Sequence, residues 1–319
     1  MSIFKFVLRR LAFGLGALIA ISAAIFFVTQ GLPADPAKTI LGRDATPENL
    51  DALRAVLGLD RPLLSQYFGW LSNVVRGDFG TSFTTQMSVS TYLGPRFGNS
   101  LFIMLIGTIV SIPISLLLGG YMALKRDSLF DTSSSFATLV FAALPEFVMG
   151  TGLIVIFATT VFQWFPAVVF LDEGAAPWSD PMGVVLPITT LVLGCIPYVS
   201  RTMRASMVEV LESDYIEMAR LKGVSERNVL LRHAFPNALG PVFQVSALNI
   251  AYLVGGAVIV ERLFNYPGVG SALTDAIRVR DLPVIQFLSL LIGGVYVLTN
   301  LVADVATVLV TPRLRTTLK

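Results

Sequence analysis

From Leu11 to Thr29 the chain carries no charged residue, and five more apolar runs of the same kind follow it. A helix needs roughly 20 apolar residues to cross about 30 Å of hydrocarbon, and inside a bilayer every backbone polar group must be satisfied within the protein. The runs read as six helical spans, roughly 8–29, 99–124, 134–162, 183–200, 242–260 and 285–310. The fold class is therefore all-α and polytopic. The third run is long for a straight crossing, which predicts tilt or an interfacial end. The fourth is short and holds Pro187 and Pro197. The composition agrees: 54% of residues are hydrophobic and 14% charged, against about 25% charged in soluble domains.

The first span follows Lys5, Arg9 and Arg10 but ends in Phe26-Phe27-Val28-Thr29-Gln30 rather than at a small-residue cleavage site, which predicts an uncleaved anchor. Cys195 is the only cysteine and His233 the only histidine, a set that assembles neither an intrachain disulfide nor a zinc centre of the usual type. With the N-terminus inside, 14 of the 23 basic residues fall on cytoplasmic segments, among them Lys125, Arg126, Arg313, Arg315 and Lys319. The loop 163–182 carries Asp172, Glu173 and Asp180 and no basic residue. Both termini are expected in the cytoplasm.

The outer segment 30–98 is patterned. Thr46-Pro47 followed by Leu50, Leu53 and Val56, then Gly58, predicts a short helix with Thr46 as N-cap. Leu63, Leu64, Tyr67, Phe68, Leu71, Val74 and Val75 recur at helical spacing up to Gly77, predicting a second helix that packs over the spans rather than lying flat on lipid.

The cytoplasmic loop 201–241 is far longer than a turn requires. Its six basic and five acidic residues suit a protein-docking module better than a nucleic-acid arm or a polybasic lipid tether. Asp214-Tyr215-Ile216-Glu217 reads as a capping box with Asp214 as the cap, and Ile216 and Ala219 share a face. Arg220 and Lys222 fall in the last turn, and Gly223 supplies the left-handed stop. A second helix is expected from Ser225 through Val229, Leu230 and Leu231, ending before Pro236. An ordered hairpin without a partner remains the other reading.

Glu217-Met218-Ala219, then Gly223 and later Pro236, resembles the cytoplasmic signature of inner-membrane permeases from binding-protein-dependent ABC importers, with Met218 where alanine is usual. The resemblance narrows to the dipeptide and oligopeptide permease group through Phe6-Val7-Leu8-Arg9-Arg10-Leu11, Gly31-Leu32-Pro33-Ala34-Asp35-Pro36, Leu57-Gly58-Leu59-Asp60-Arg61-Pro62-Leu63 and Gly77-Asp78-Phe79-Gly80. Near the other end, Val260-Glu261-Arg262-Leu263-Phe264-Asn265-Tyr266-Pro267-Gly268-Val269-Gly270 and Asp281-Leu282-Pro283-Val284-Ile285-Gln286 carry it further. The resemblance implies one permease domain over 1–319, a second related permease chain, two cytoplasmic ATPase subunits and an extracytoplasmic binding protein that delivers peptide. It implies a bacterial inner membrane, with ATP and Mg used by the partner subunits and no cofactor in this chain. The short helix, with Asp214, Tyr215, Glu217, Ala219, Arg220, Gly223 and Pro236, would couple to an ATPase. Independently, the chain has no G-x-x-x-x-G-K-[S/T] phosphate loop, so catalysis of ATP hydrolysis is not expected here.

Other residues leave alternatives. Glu146, after Pro145, opens or interrupts the third span; a structural kink is the preferred reading and a pathway position facing a peptide's amino group the other. Asp304, with Asn300 one turn away, is an intramembrane carboxylate for which structural pairing is preferred to proton coupling. Glu261 and the turn Tyr266-Pro267-Gly268 fall at the outer mouth on the resemblance, or form only a tight turn. Trp164, Trp178 and Tyr266 read as interfacial anchors, and Gly119-Gly120, Gly150 with Gly152, Gly255-Gly256 and Gly293-Gly294 as packing surfaces. An ion-driven secondary transporter is the alternative class; within importers, nickel complexes, opines and oligosaccharides are alternative substrates.

Overall fold

Thirteen α-helices are found among the residues described in the computed structural model, which are 3–31, 36–42, 45–57, 59–172 and 174–310. Gly58, Glu173, the stretch 32–35 and the basic residues Arg313, Arg315 and Lys319 lie outside them. Five helices are long and apolar enough to cross a membrane. They are α1 (Ile3–Gln30), α5 (Val89–Leu124), α8 (Val185–Leu211), α11 (Phe235–Leu263) and α13 (Leu282–Val310). A sixth candidate is the pair α6 (Leu129–Ala143) and α7 (Glu146–Ile154), bent by 105° at the intervening Leu144 and Pro145. Proline removes a donor and disfavours helix at the residue before it, and Leu144 is accordingly extended. The long third run is thus two helices, and α7 runs on through a π-helical turn, Val155–Thr159. The protein is a multi-pass helical membrane protein.

The bundle is built on α5 and α8. At their crossing, a β-carbon on Gly119 would lie 2.2 Å from the Ser200 carbonyl oxygen and 2.8 Å from the Met203 side chain. Gly150 meets Leu263 and Thr190, and Gly293 meets Ile21, whereas Gly152 and Gly255 face open space. Only one member of the 150/152 pair makes a contact because positions two apart on a helix point to different sides.

The outer segment forms α2 (Pro36–Leu41), α3 (Pro47–Leu57) and α4 (Leu63–Val75). Thr46 caps α3, its hydroxyl accepting from the Asn49 amide at 3.3 Å. On α4, Tyr67 is buried on α1: its hydroxyl shares a 2.9 Å hydrogen bond with Ser22, and its ring lies against Phe26 and Phe27. Leu63, Leu64, Phe68 and Val75 stay exposed, so α4 packs on α1 with one side of its apolar face.

Candidate functional site

At one end of the bundle, α8 turns at Glu212 and Ser213 into α9 (Asp214–Leu221). The expected capping box is not formed. The cap position is Ser213, whose hydroxyl donates back to the Val210 carbonyl, and no side chain caps the helix. Asp214 and Glu217 instead occupy the first turn, where acidic side chains offset the helix's positive end. The stop at the other end is as expected. Gly223 has φ +76°, its amide donates to the Arg220 carbonyl, and the Val224 amide donates to that of Ala219. These two bonds make a Schellman closure, which the left-handed glycine permits.

One side of α9 is anchored. Ile216 is fully buried in a cluster with Met203 and Met207 of α8 and with Val229, Ala234 and Ala238, and Ala219 packs against it. The other side offers Tyr215, Met218 and Leu221 outward, each about half exposed or more. Arg220 donates to Glu226 at 2.8 Å, bracing the turn between the two. The segment after Ser225 does not stop before Pro236. α10 (Glu226–Asn228) passes through a π-helical turn, Val229–Ala234, straight into α11. Proline lacks the amide that would bond four residues back, and the wider turn before it lets the helix continue.

On the opposite face the quoted motifs meet one another. Glu261, fully buried near the end of α11, accepts from the Ser100 hydroxyl at 2.5 Å and from the Gly270 and Ser271 amides at 2.7 and 3.2 Å. The carboxylate thereby caps α12 (Val269–Val279) from another helix. Ser100 accepts in turn from the Val269 amide at 2.8 Å. Asn99 donates to the Pro267 carbonyl at 2.8 Å, and the Tyr266 hydroxyl donates to the Asn99 carbonyl at 3.0 Å. A β-carbon on Gly268 would enter the Glu261 carboxyl group at 2.3 Å. Tyr266 is no interfacial anchor: it is fully buried, while Trp164 and Trp178 are exposed. Burial pushes its phenol well above the usual range, the neighbouring Glu261 adding to the effect, so it remains a donor. Asp281 accepts from the Ser82 hydroxyl at 2.5 Å and from the Phe83 and Thr84 amides at 3.1 and 3.2 Å. The turn after Gly77-Asp78-Phe79-Gly80 is thus bound to the start of α13.

Within the spans, Glu146 is the first residue of α7 and accepts from the Tyr252 hydroxyl of α11. Asp304 pairs with Arg10 of α1 at 3.1 Å, in line with structural pairing, and the Asn300 amide donates to its own helix at Tyr296. Sequence reasoning missed Asp131 with Arg204, Tyr198 with Tyr252, and the Asp281 acceptor set. Opposite charges near the ends of two neighbouring apolar runs were the available signal for the first. Among the described residues no group of His, Cys, Asp and Glu is placed to hold a metal ion.

The architecture is thus a many-spanned helical bundle with a short anchored helix beyond one end. The chain belongs to the family described as binding-protein-dependent transport system inner membrane component, which matches residues 115–316, its N-terminal companion matching 3–104. It is 35% identical over 309 residues to a putative peptide transport system permease protein of Brucella abortus, covering 97% of this chain and 98% of the relative. It is 35% identical over 312 residues to a probable peptide ABC transporter permease protein of Sinorhizobium fredii, covering 97% and 99%. It is 34% identical over 311 residues to a glutathione transport system permease protein of Shigella flexneri, covering 98% and 99%.

Proposed function

We propose that this chain is the pathway-forming permease of an ATP-driven importer for peptides or peptide-like solutes in a bacterial inner membrane. It works with a second related permease, two ATPase subunits that bind ATP and Mg, and an extracytoplasmic binding protein. The bent pair α6–α7 counts as the third of six spans, and both termini are cytoplasmic. The whole of 1–319 is one domain, with 30–98 as its outer segment and 201–241 as its coupling loop.

The observation that carries this reading is the posture of α9. Eight residues are too few for a stable isolated helix; Ile216 fixes α9 to the bundle while Tyr215, Met218 and Leu221 stay outward. Those residues, with Asp214, Glu217 and Arg220, form the ATPase-facing surface, and Ala219, Gly223 and Pro236 set its position. Movement of α9 is passed to α8 and α11 through the cluster around Ile216. Glu261, Tyr266, Pro267 and Gly268 hold α12 at the outer mouth, where the binding protein docks. Peptide as substrate rests on the three named relatives, glutathione itself being a tripeptide.

The test is uptake in liposomes. Peptide import that needs ATP, both permeases, the ATPases and the binding protein supports the reading. Uptake by this chain alone, driven by a pH gradient, refutes it in favour of a secondary carrier.

A further inference from the structure

Glu146 stands near the middle of the third expected span, and Tyr252, which donates to it, near the middle of the fifth. The 105° bend before α7 brings the carboxylate to a partly open position. Only Oε1 accepts a hydrogen bond among the described residues, and no cation there pairs with Glu146. Among the described residues no fully buried side-chain polar atom lacks a partner, so the unpaired Oε2 retains some accessible surface. A carboxylate so placed is too costly against lipid tails; it faces a water-filled cavity or another protein chain. Beside it, the Tyr252 and Tyr198 rings lie 6.0 Å apart, and both are about two-fifths exposed. Tyr198 is also part of the wall of an open cleft of about 720 Å³ that includes Phe136, Leu139, Pro197 and Arg201. That volume lies in the range of ordinary small-molecule sites.

We propose that Glu146, Tyr252 and Tyr198 form a binding site for the substrate's ammonium group on the translocation pathway, the peptide lying along the cleft. The carboxylate supplies the counter-charge, its free Oε2 accepts from the ammonium, and the two tyrosine faces attract a cation. Tyr252 keeps the carboxylate aimed while the site is empty. The proposal rests on the peptide-importer reading and adds that the permease itself, not only the binding protein, reads a charged amino terminus.

The experiment is uptake of trialanine and of N-acetyl-trialanine by the complete reconstituted complex, with wild-type permease, Glu146→Gln and Glu146→Asp at equal subunit content. The binding protein contributes the same preference to every variant, so the change in the ratio of the two uptake rates belongs to the permease. The free amine should be preferred by the wild type, and Glu146→Gln should reduce that preference about tenfold, the size of one charge-assisted hydrogen bond. Glu146→Asp should recover part of it. An unchanged ratio in Glu146→Gln overturns the site while leaving the importer reading intact. A Glu146→Gln chain that no longer assembles with the second permease makes Glu146 an interface residue and also overturns it. If the wild type imports neither peptide, the peptide reading falls and the site with it.

Discussion

Arg204 grips Asp131 with two parallel hydrogen bonds, Nε to Oδ1 and Nη2 to Oδ2, both 2.6 Å. Asp131 is buried in the first turn of α6, and its Oδ2 also accepts from the Asp127 amide at 3.0 Å. The pair ties the start of α6 to α8, about two turns before α8 ends and leads to α9. Arg204→Ala leaves a buried carboxylate without its cation; because Arg204 is itself partly exposed, the loss should stay below the ~3–5 kcal/mol of a fully buried pair. Arg204→Lys restores charge but not the fork. Thermal melts of the detergent-purified chain should fall for both variants, and further for alanine. A wild-type melting temperature in Arg204→Ala would show that the pair contributes nothing.

Gly119 and Gly152 give a matched comparison. A methyl at Gly119 is driven into the Ser200 carbonyl, and backbone cannot rotate away as a side chain does. Overpacking costs typically ~1–3 kcal/mol even against side chains. Gly119→Ala should lower the melting temperature and the yield of folded chain, and Gly152→Ala should change neither, since nothing lies within 4 Å of its β-carbon. Equal behaviour of the two would contradict the α5–α8 crossing.

Among the described residues the Glu261 carboxylate accepts from the Ser100 hydroxyl and from the Gly270 and Ser271 amides. In Glu261→Met the buried Gly270 and Ser271 amides lose their acceptor. Each unmet buried group should cost about 1–3 kcal/mol, concentrated at the start of α12. Hydrogen exchange over Val269–Val279 should rise relative to α5, with the spans still inserted. Uniform protection across both helices would show that Glu261 does not hold α12.

Five membrane-length helices were legible because apolar length is a direct reading of bilayer thickness, and the break at Leu144 and Pro145 inside the third run was signalled by Pro145. Gly223 was legible too, since a glycine after a basic last turn has one main use. What escaped was set by distant parts of the chain. Asp214 looked like a cap because Glu217 follows at the right spacing, but Ser213 took the position and turned its hydroxyl back to Val210. Pro236 looked like a stop, and local rules cannot foresee that a π-helical turn will carry α10 into α11. Tyr266 looked like an anchor because aromatic residues favour interfaces; its burial depends on Asn99, far earlier in the chain. Glu261 and Asp281 were singled out by motif, but their partners Ser100 and Ser82 carry no distinctive pattern of their own.

The last prediction isolates backbone strain from packing. Gly223 closes α9 at φ +76°, and a β-carbon there would touch nothing within 4 Å. Any loss on substitution is therefore conformational, not steric crowding by neighbours. A β-branched residue held in this geometry costs about 1–3 kcal/mol, enough to shift an eight-residue helix whose own stability is marginal. Asparagine visits the left-handed region far more readily. Gly223→Val should insert normally and still accept the binding protein, while substrate-stimulated ATP hydrolysis and uptake both fall in the reconstituted complex. Gly223→Asn should stand close to wild type in both assays. The asymmetry between the two is what a strained coupling helix requires, because an interface that merely disliked bulk would reject asparagine as well. Normal transport by an assembled Gly223→Val complex would reduce α9 to a hairpin element and remove its coupling role.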